Sequence, residues 1–141
     1  MAAKEEQLKE KYMEYQLLMQ QAQQLQQNIE ALEKHILNLR SLNDNLDSIS
    51  KVKTNEEMLM PLGSGLFLKG SLQDNNNILM NVGANVVVEK SIEEAKETVS
   101  KQLEEVTVVL EQMQHEVDHT NEHLHGLQQE FQNLKEINTE E

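Results

Sequence analysis

The stretch Glu57-Met58-Leu59-Met60-Pro61-Leu62-Gly63-Ser64-Gly65-Leu66-Phe67-Leu68-Lys69-Gly70, with Ile78-Leu79-Met80-Asn81-Val82-Gly83-Ala84-Asn85-Val86-Val87-Val88-Glu89-Lys90 beyond it, decides the fold. Four of the five glycines (Gly63, Gly65, Gly70, Gly83) and the only proline, Pro61, fall within these 23 positions, 61–83. Proline and clustered glycine break helices, whereas short apolar runs between Gly-Ser-Gly, Asp-Asn-Asn-Asn and Gly-Ala-Asn read as strands and turns. Met58–Leu62, Leu66–Leu72, Ile78–Val82 and Val86–Val88 are therefore predicted as four strands in two hairpins. Strand side chains alternate, so one side of the sheet is markedly apolar, through Met58, Met60, Leu62, Leu66, Leu68, Leu72, Ile78, Met80, Val82, Val86 and Val88.

On either side the period changes. Leu8, Lys11, Tyr15, Leu18, Ala22, Leu25, Ile29, Leu32, Ile36, Leu39, Asn43 and Leu46 recur at alternating spacings of three and four, and ten of the twelve are apolar or aromatic. The second run, Ile92, Lys96, Val99, Leu103, Val106, Leu110, Met113, Val117, Thr120, Leu124, Leu127, Phe131, Leu134 and Asn138, is apolar at eleven of fourteen positions. A mean spacing of 3.5 lines one stripe along a supercoiled helix. Ser91 with Glu94 three residues on is a capping-box pattern, which starts the second helix near Ile92. Each run covers about 45 residues, a helix of about 65–70 Å, and a helix that long needs its stripe covered. Equal lengths predict that the two cover each other, antiparallel, with Ile49 near Ile92 and Leu8 near Phe131 or Leu134.

The expected architecture is α+β, mainly α: a helix over residues 1–54, two β-hairpins over 55–90 as an oligomerisation block, and a helix over 91–141, together one domain. Both helices have spent their stripes on each other, and two isolated hairpins are marginal in water, so another subunit is expected to cover the hairpin face.

Composition narrows the function. The 141 residues are 38% hydrophobic with only four aromatics, which leaves no large globular core. A net charge of −13 disfavours nucleic acid. Cysteine is absent, which removes thiol chemistry and disulfides, and neither a signal peptide nor a membrane-length apolar window is found, so a cytoplasmic location is the default. His115-Glu116-Val117-Asp118-His119 matches H-E-x-x-H. Val117 occupies the helical seam, which turns His115, His119 and His123 toward solvent, and the motif is read as coincidence. No cofactor, metal or catalytic residue is assigned. Gly126 interrupts the second helix, either loosening it or making room for Tyr15. Asn43, Asn138 and Lys96 are seam interruptions that set register or mark ends.

Apolar residues also crowd the ends of the helices. Leu8, Tyr12, Met13, Tyr15, Leu17 and Met19 near the start, with Leu127, Phe131, Leu134 and Ile137 near the finish, form a band wider than a two-stranded seam buries. Flexible Met and Leu side chains suit contact with many partners.

The central block resembles the two hairpins of α-class prefoldin subunits, on the residues quoted at the outset, including the Glu89-Lys90 exit into the second helix; the smaller β class has one hairpin. The resemblance implies that two such subunits and four β-class subunits join hairpins into an inter-subunit β-barrel, with six coiled coils hanging from it. It further implies an ATP-independent chaperone that holds unfolded polypeptide at the coiled-coil tips and hands it to a group II chaperonin. Short termini are more similar to the archaeal form than to eukaryotic paralogues. The alternative is a coiled-coil scaffold that binds one folded partner.

Overall fold

The computed structural model describes the backbone of residues 2–139 and the side chains of residues 2–134. Helix α1 (Ala2–Lys51) is followed by strands β1 (Glu57–Gly63), β2 (Leu66–Ser71), β3 (Asn77–Gly83) and β4 (Val86–Ser91), and by helix α2 (Ile92–Thr139). The described chain divides into two compact units, residues 1–35 with 106–141, and residues 36–105.

In the first unit the seam follows the heptad positions. Ile29, Leu124 and Leu127 are buried, and Lys11, Tyr15, Leu18, Ala22, Leu25, Leu32, Val106, Leu110, Met113, Val117, Thr120, Phe131 and Leu134 are half-buried. Leu8, the first position of the α1 run, is exposed. A narrow seam cannot enclose its members fully, which is why few side chains here reach complete burial. Asn138 lies outside the described side chains.

The second unit holds the hairpins and the adjoining helix segments. Ile36, Leu39, Leu46, Ile92, Ala95 and Val99 are buried. Ala95 is a correction to the sequence pattern, which places Lys96 at this level of the seam. The small alanine is enclosed, while the Lys96 ammonium reaches Asp47 Oδ1 at 2.8 Å from a partly covered position. Helix α2 begins at Ile92, where the Glu94 amide donates to Ser91 Oγ at 3.1 Å, and Glu93 and Glu94 sit in the first turn beside the positive end of the helix dipole.

The hairpins are copies of each other at an offset of 20 residues, a repeat that the sequence reading missed. β1 pairs antiparallel with β2 and β3 with β4, each pair forming a separate two-stranded sheet. In the first, Glu57 opposes Ser71 and Pro61 opposes Phe67, after which the register skips Leu62 and resumes with Gly63 opposite Leu66. In the second, Asn77 opposes Ser91 and Asn81 opposes Val87, after which it skips Val82 and resumes with Gly83 opposite Val86. Each turn has positive φ at both central residues, 51° and 80° at Ser64 and Gly65 and 51° and 60° at Ala84 and Asn85, the signature of a type I′ hairpin turn. Gly63 and Gly83, at φ 111° and 112°, supply the conformation that closes the bulge.

The segment between hairpins ties them to the helices. Asp74 accepts hydrogen bonds from the Asn76 amide at 2.8 Å, the Asn77 amide at 3.3 Å and Asn77 Nδ2 at 3.0 Å. These bonds, the Asn76 amide foremost, hold the Asp74 carboxyl below the usual carboxylate range. Asn75 Nδ2 donates to the Val52 carbonyl, the Asn55 amide to the Leu72 carbonyl and the Ile92 amide to the Asn76 carbonyl, at 3.1, 2.9 and 2.8 Å. Asn-rich sequence here is thus a bonded junction between both helix ends and both hairpins.

Candidate functional site

Two surfaces carry apolar groups that nothing in their own unit covers. In the first unit, the start of α1 and the end of α2 enclose an open groove of about 770 Å³ lined by Leu8, Lys9, Tyr12, Met13, Tyr15, Gln128, Phe131, Gln132 and Leu134. The helical period produces it: Leu8, Tyr12 and Tyr15 lie on one face of α1, and Phe131 and Leu134 are a turn apart on α2.

Phe131 organises the aromatic wall. Its ring meets Tyr12 edge-on with centroids 6.5 Å apart and Tyr15 at 6.0 Å, with interplanar angles of 66° and 81°. Such edge-to-face pairs are favoured by the ring quadrupoles. Tyr15 Oη accepts a hydrogen bond from Gln128 Nε2 at 3.0 Å, so its polar end is satisfied while its ring stays half-buried. Lys11 Nζ lies 2.7 Å from Glu130 Oε2, and His123 Nε2 3.2 Å from Glu14 Oε1, which ties the two helices together near the groove without entering its lining. Tyr12 and Met13 remain 55% and 69% exposed.

Of the ten residues assigned from sequence to this end, six meet in the groove: Leu8, Tyr12, Met13, Tyr15, Phe131 and Leu134. Leu17 and Met19 are exposed but lie outside its lining. Leu127 is only 5% exposed: it belongs to the seam and offers no surface. Ile137 lies outside the described side chains. Lys9, Gln128 and Gln132 were not foreseen, because a periodicity argument finds apolar positions and says nothing of the polar side chains that frame them.

One reading of α2 changes. A Cβ at Gly126 would meet nothing within 4 Å, so this glycine does not make room for Tyr15; Leu124 and Leu127 face the seam and residue 126 points away from it. His115, Glu116 and His119 line a shallow furrow of about 550 Å³ with Gln21, Gln24, Leu25 and Thr120 that stays open to solvent. Among the described residues no group of three or more His, Cys, Asp or Glu side chains is placed to hold a metal ion.

In the second unit the hairpins expose apolar side chains on both faces. The register puts Met58, Met60, Leu66 and Leu68 on one face of the first hairpin and Leu59, Pro61 and Phe67 on the other. In the second, Ile78, Met80, Val86 and Val88 share one face, and Leu79 and Val87 the opposite one. Leu79 and Phe67, on the faces not assigned from sequence, are 71% and 60% exposed. The signal was present: Leu66-Phe67-Leu68 and Val86-Val87-Val88 are unbroken apolar runs, the mark of strands covered on both sides. Each strand also has one edge without a partner among the described residues.

No helix among the described residues is long and apolar enough to cross a membrane. A family model described as Prefoldin subunit matches residues 18–136. The chain is 36% identical over 115 residues to prefoldin subunit alpha of Pyrococcus horikoshii, covering 81% of this chain and 78% of that protein. It is 40% identical over 96 residues to the Thermococcus onnurineus subunit alpha, covering 67% and 65%. Against the Methanococcus aeolicus subunit alpha it is 30% identical over 135 residues, covering 86% and 92%. Its fold is similar to the cryo-EM structure of filamentous PFD from Methanocaldococcus jannaschii, with a TM-score of 0.70 at 19% identity over 79% of this chain and 93% of that one. Two helices separated by two antiparallel hairpins, and relatives that are consistently alpha subunits, lead to one assignment: the chain belongs to the prefoldin family, in its α class and of the archaeal type.

Proposed function

We propose that this chain acts as an ATP-independent holdase: it captures unfolded polypeptide in the groove between Tyr12, Met13 and Phe131 and passes it to a group II chaperonin. The observation that carries the reading is that open groove, in which aromatic and methionine side chains stay accessible on helices whose seam is already filled. Weak apolar contacts without a deep enclosed pocket suit many client sequences. No nucleotide, metal or catalytic group takes part, and the protein works in the cytoplasm.

Residues 1–54 and 91–141 serve as the two strands of an arm and residues 55–90 as the assembly block. Two chains of this kind associate with four smaller β-class subunits, each hairpin docking into a shared β-barrel. Exposed apolar residues on both hairpin faces and unpaired strand edges support this, since such a surface is covered in a stable protein.

The test mixes the chain with β-class subunits, verifies the two-plus-four mass, and follows aggregation of a denatured client by light scattering. Suppression that is lost in Tyr12→Ser/Met13→Ser is the expected result. A verified hexamer that suppresses nothing refutes the holdase reading, and binding to one native protein alone, with no unfolded client held, identifies a scaffold instead.

A further inference from the structure

The groove constrains what it holds. Its α1 wall runs from Leu8 to Tyr15, about 10 Å or two helical turns, and its α2 wall from Gln128 to Leu134, about 9 Å. Both walls are helix, so their interior amides and carbonyls are already bonded within the helices. An extended segment laid between them turns part of its backbone toward apolar side chains and finds no backbone partner there. A helical segment satisfies its own amides and presents side chains alone, as in other helix-in-groove contacts.

Charge narrows the occupant further. Among the described side chains at this end, residues 2–15 and 128–134, five glutamates stand against three lysines. Of those lysines, Lys11 is already engaged by Glu130, and Lys9 lines the groove. The first unit as a whole holds fourteen acidic residues against five lysines, nine of the chain's thirteen net negative charges. Lys9 is one local cation in a field of the opposite sign.

From these observations, and resting on the holdase reading above, we infer that the groove takes its client as a short cationic amphipathic helix: an apolar stripe at i, i+3, i+4 and i+7 set into the Tyr12–Phe131 wall, with Lys or Arg on its flanks. Nascent helices in unfolded chains are the source of such segments. The groove then selects among unfolded stretches by helical period and by charge, rather than by hydrophobicity alone.

The experiment uses the assembled protein and three fluorescent peptides of about 14 residues, near the length at which isolated helices are marginal. One has leucines at helical spacing with lysines between them, the second the same composition in strict alternation, and the third glutamates in place of the lysines. Anisotropy at low salt is expected to show the first binding about tenfold tighter than either of the others. The charge-dependent gap shrinks to about twofold at high salt as the field is screened. Circular dichroism shows the first peptide gaining helix on binding. Tyr12→Ser/Met13→Ser, with its own helix content checked, weakens that peptide's binding at least about fivefold. Equal affinity for the alternating peptide, equal or tighter binding of the acidic one, or indifference to the double substitution each overturns the inference. If a denatured client is captured but no peptide binds, the inference falls while the holdase reading stands. If neither is captured, both fall.

Discussion

Phe131→Leu tests whether the groove is organised by its aromatic contacts. Phe131 is half-buried and meets two tyrosine rings edge-on at 6.5 and 6.0 Å. Leucine keeps most of the apolar surface in the seam, so the transfer loss is about 1 kcal/mol or less. Each lost ring pair adds about 0.5–1.5 kcal/mol, for a total of about 1–4 kcal/mol. The loss is local, and the assay must be local too. Native-state hydrogen exchange of the amides in residues 8–15 and 127–134 is expected to accelerate about fivefold to several hundredfold, while amides of Ile92–Val99 in the other unit hold their rates. A double-mutant cycle with Tyr15→Leu isolates the 6.0 Å pair and is expected to give a coupling of about 0.5–1.5 kcal/mol. A coupling of zero, with unchanged exchange near residue 131, refutes the view that ring packing shapes the groove.

Ala84→Gly relieves a side chain held at φ 51° and is expected to stabilise the second hairpin by about 1 kcal/mol, measured by chemical denaturation, whereas Ser91→Ala removes the α2 cap and destabilises by about 1 kcal/mol. Gly126→Ala meets open space in a helix interior and is expected to add about 1 kcal/mol; amide exchange around residue 126 reads it. Asn43 Oδ1 is buried and accepts no hydrogen bond among the described residues, so Asn43→Leu is expected to stabilise by about 1–3 kcal/mol. Cysteine cross-linking between the Asp47 and Lys96 positions then shows whether the asparagine had been holding register. Asp74 and Asp47 are both held below the ordinary carboxylate range, Asp74 chiefly by the Asn76 amide and Asp47 chiefly by the Lys96 hydrogen bond. Their contribution is present above the unfolded-state value near 3.8 and fades as pH falls through the lower folded values, so an acid titration of stability steepens below about pH 4. Asp74→Asn is expected to flatten that limb.

The alternation of three and four identifies the seam from Tyr15 to Leu134 because burial in a coiled coil repeats with the helix itself, a one-dimensional rule that a sequence displays directly. Ser91 and Glu94 mark the α2 start for the same reason: the partners are three residues apart. Gly63 and Gly83 mark turns by their backbone freedom. Local chemistry therefore determined the two helices, the hairpins and the central block that carries the resemblance to prefoldin.

Other features depend on groups brought together from far along the chain. Ala95 rather than Lys96 is enclosed because lysine's long stem lets its charge leave the seam for Asp47, an outcome set by a residue 49 positions away. Leu127 and Phe131, one turn apart, read alike in sequence, yet the first is sealed in the seam and the second forms a groove wall against Tyr12 and Tyr15. The second apolar face of each hairpin was legible in the unbroken runs Leu66–Leu68 and Val86–Val88, but which side chains oppose one another on it was set by the strand register and the bulges at Leu62 and Val82. Periodicity states which side chains share a face; only the tertiary structure, by choosing what stands opposite that face, decided which of them are buried and which remain free to bind.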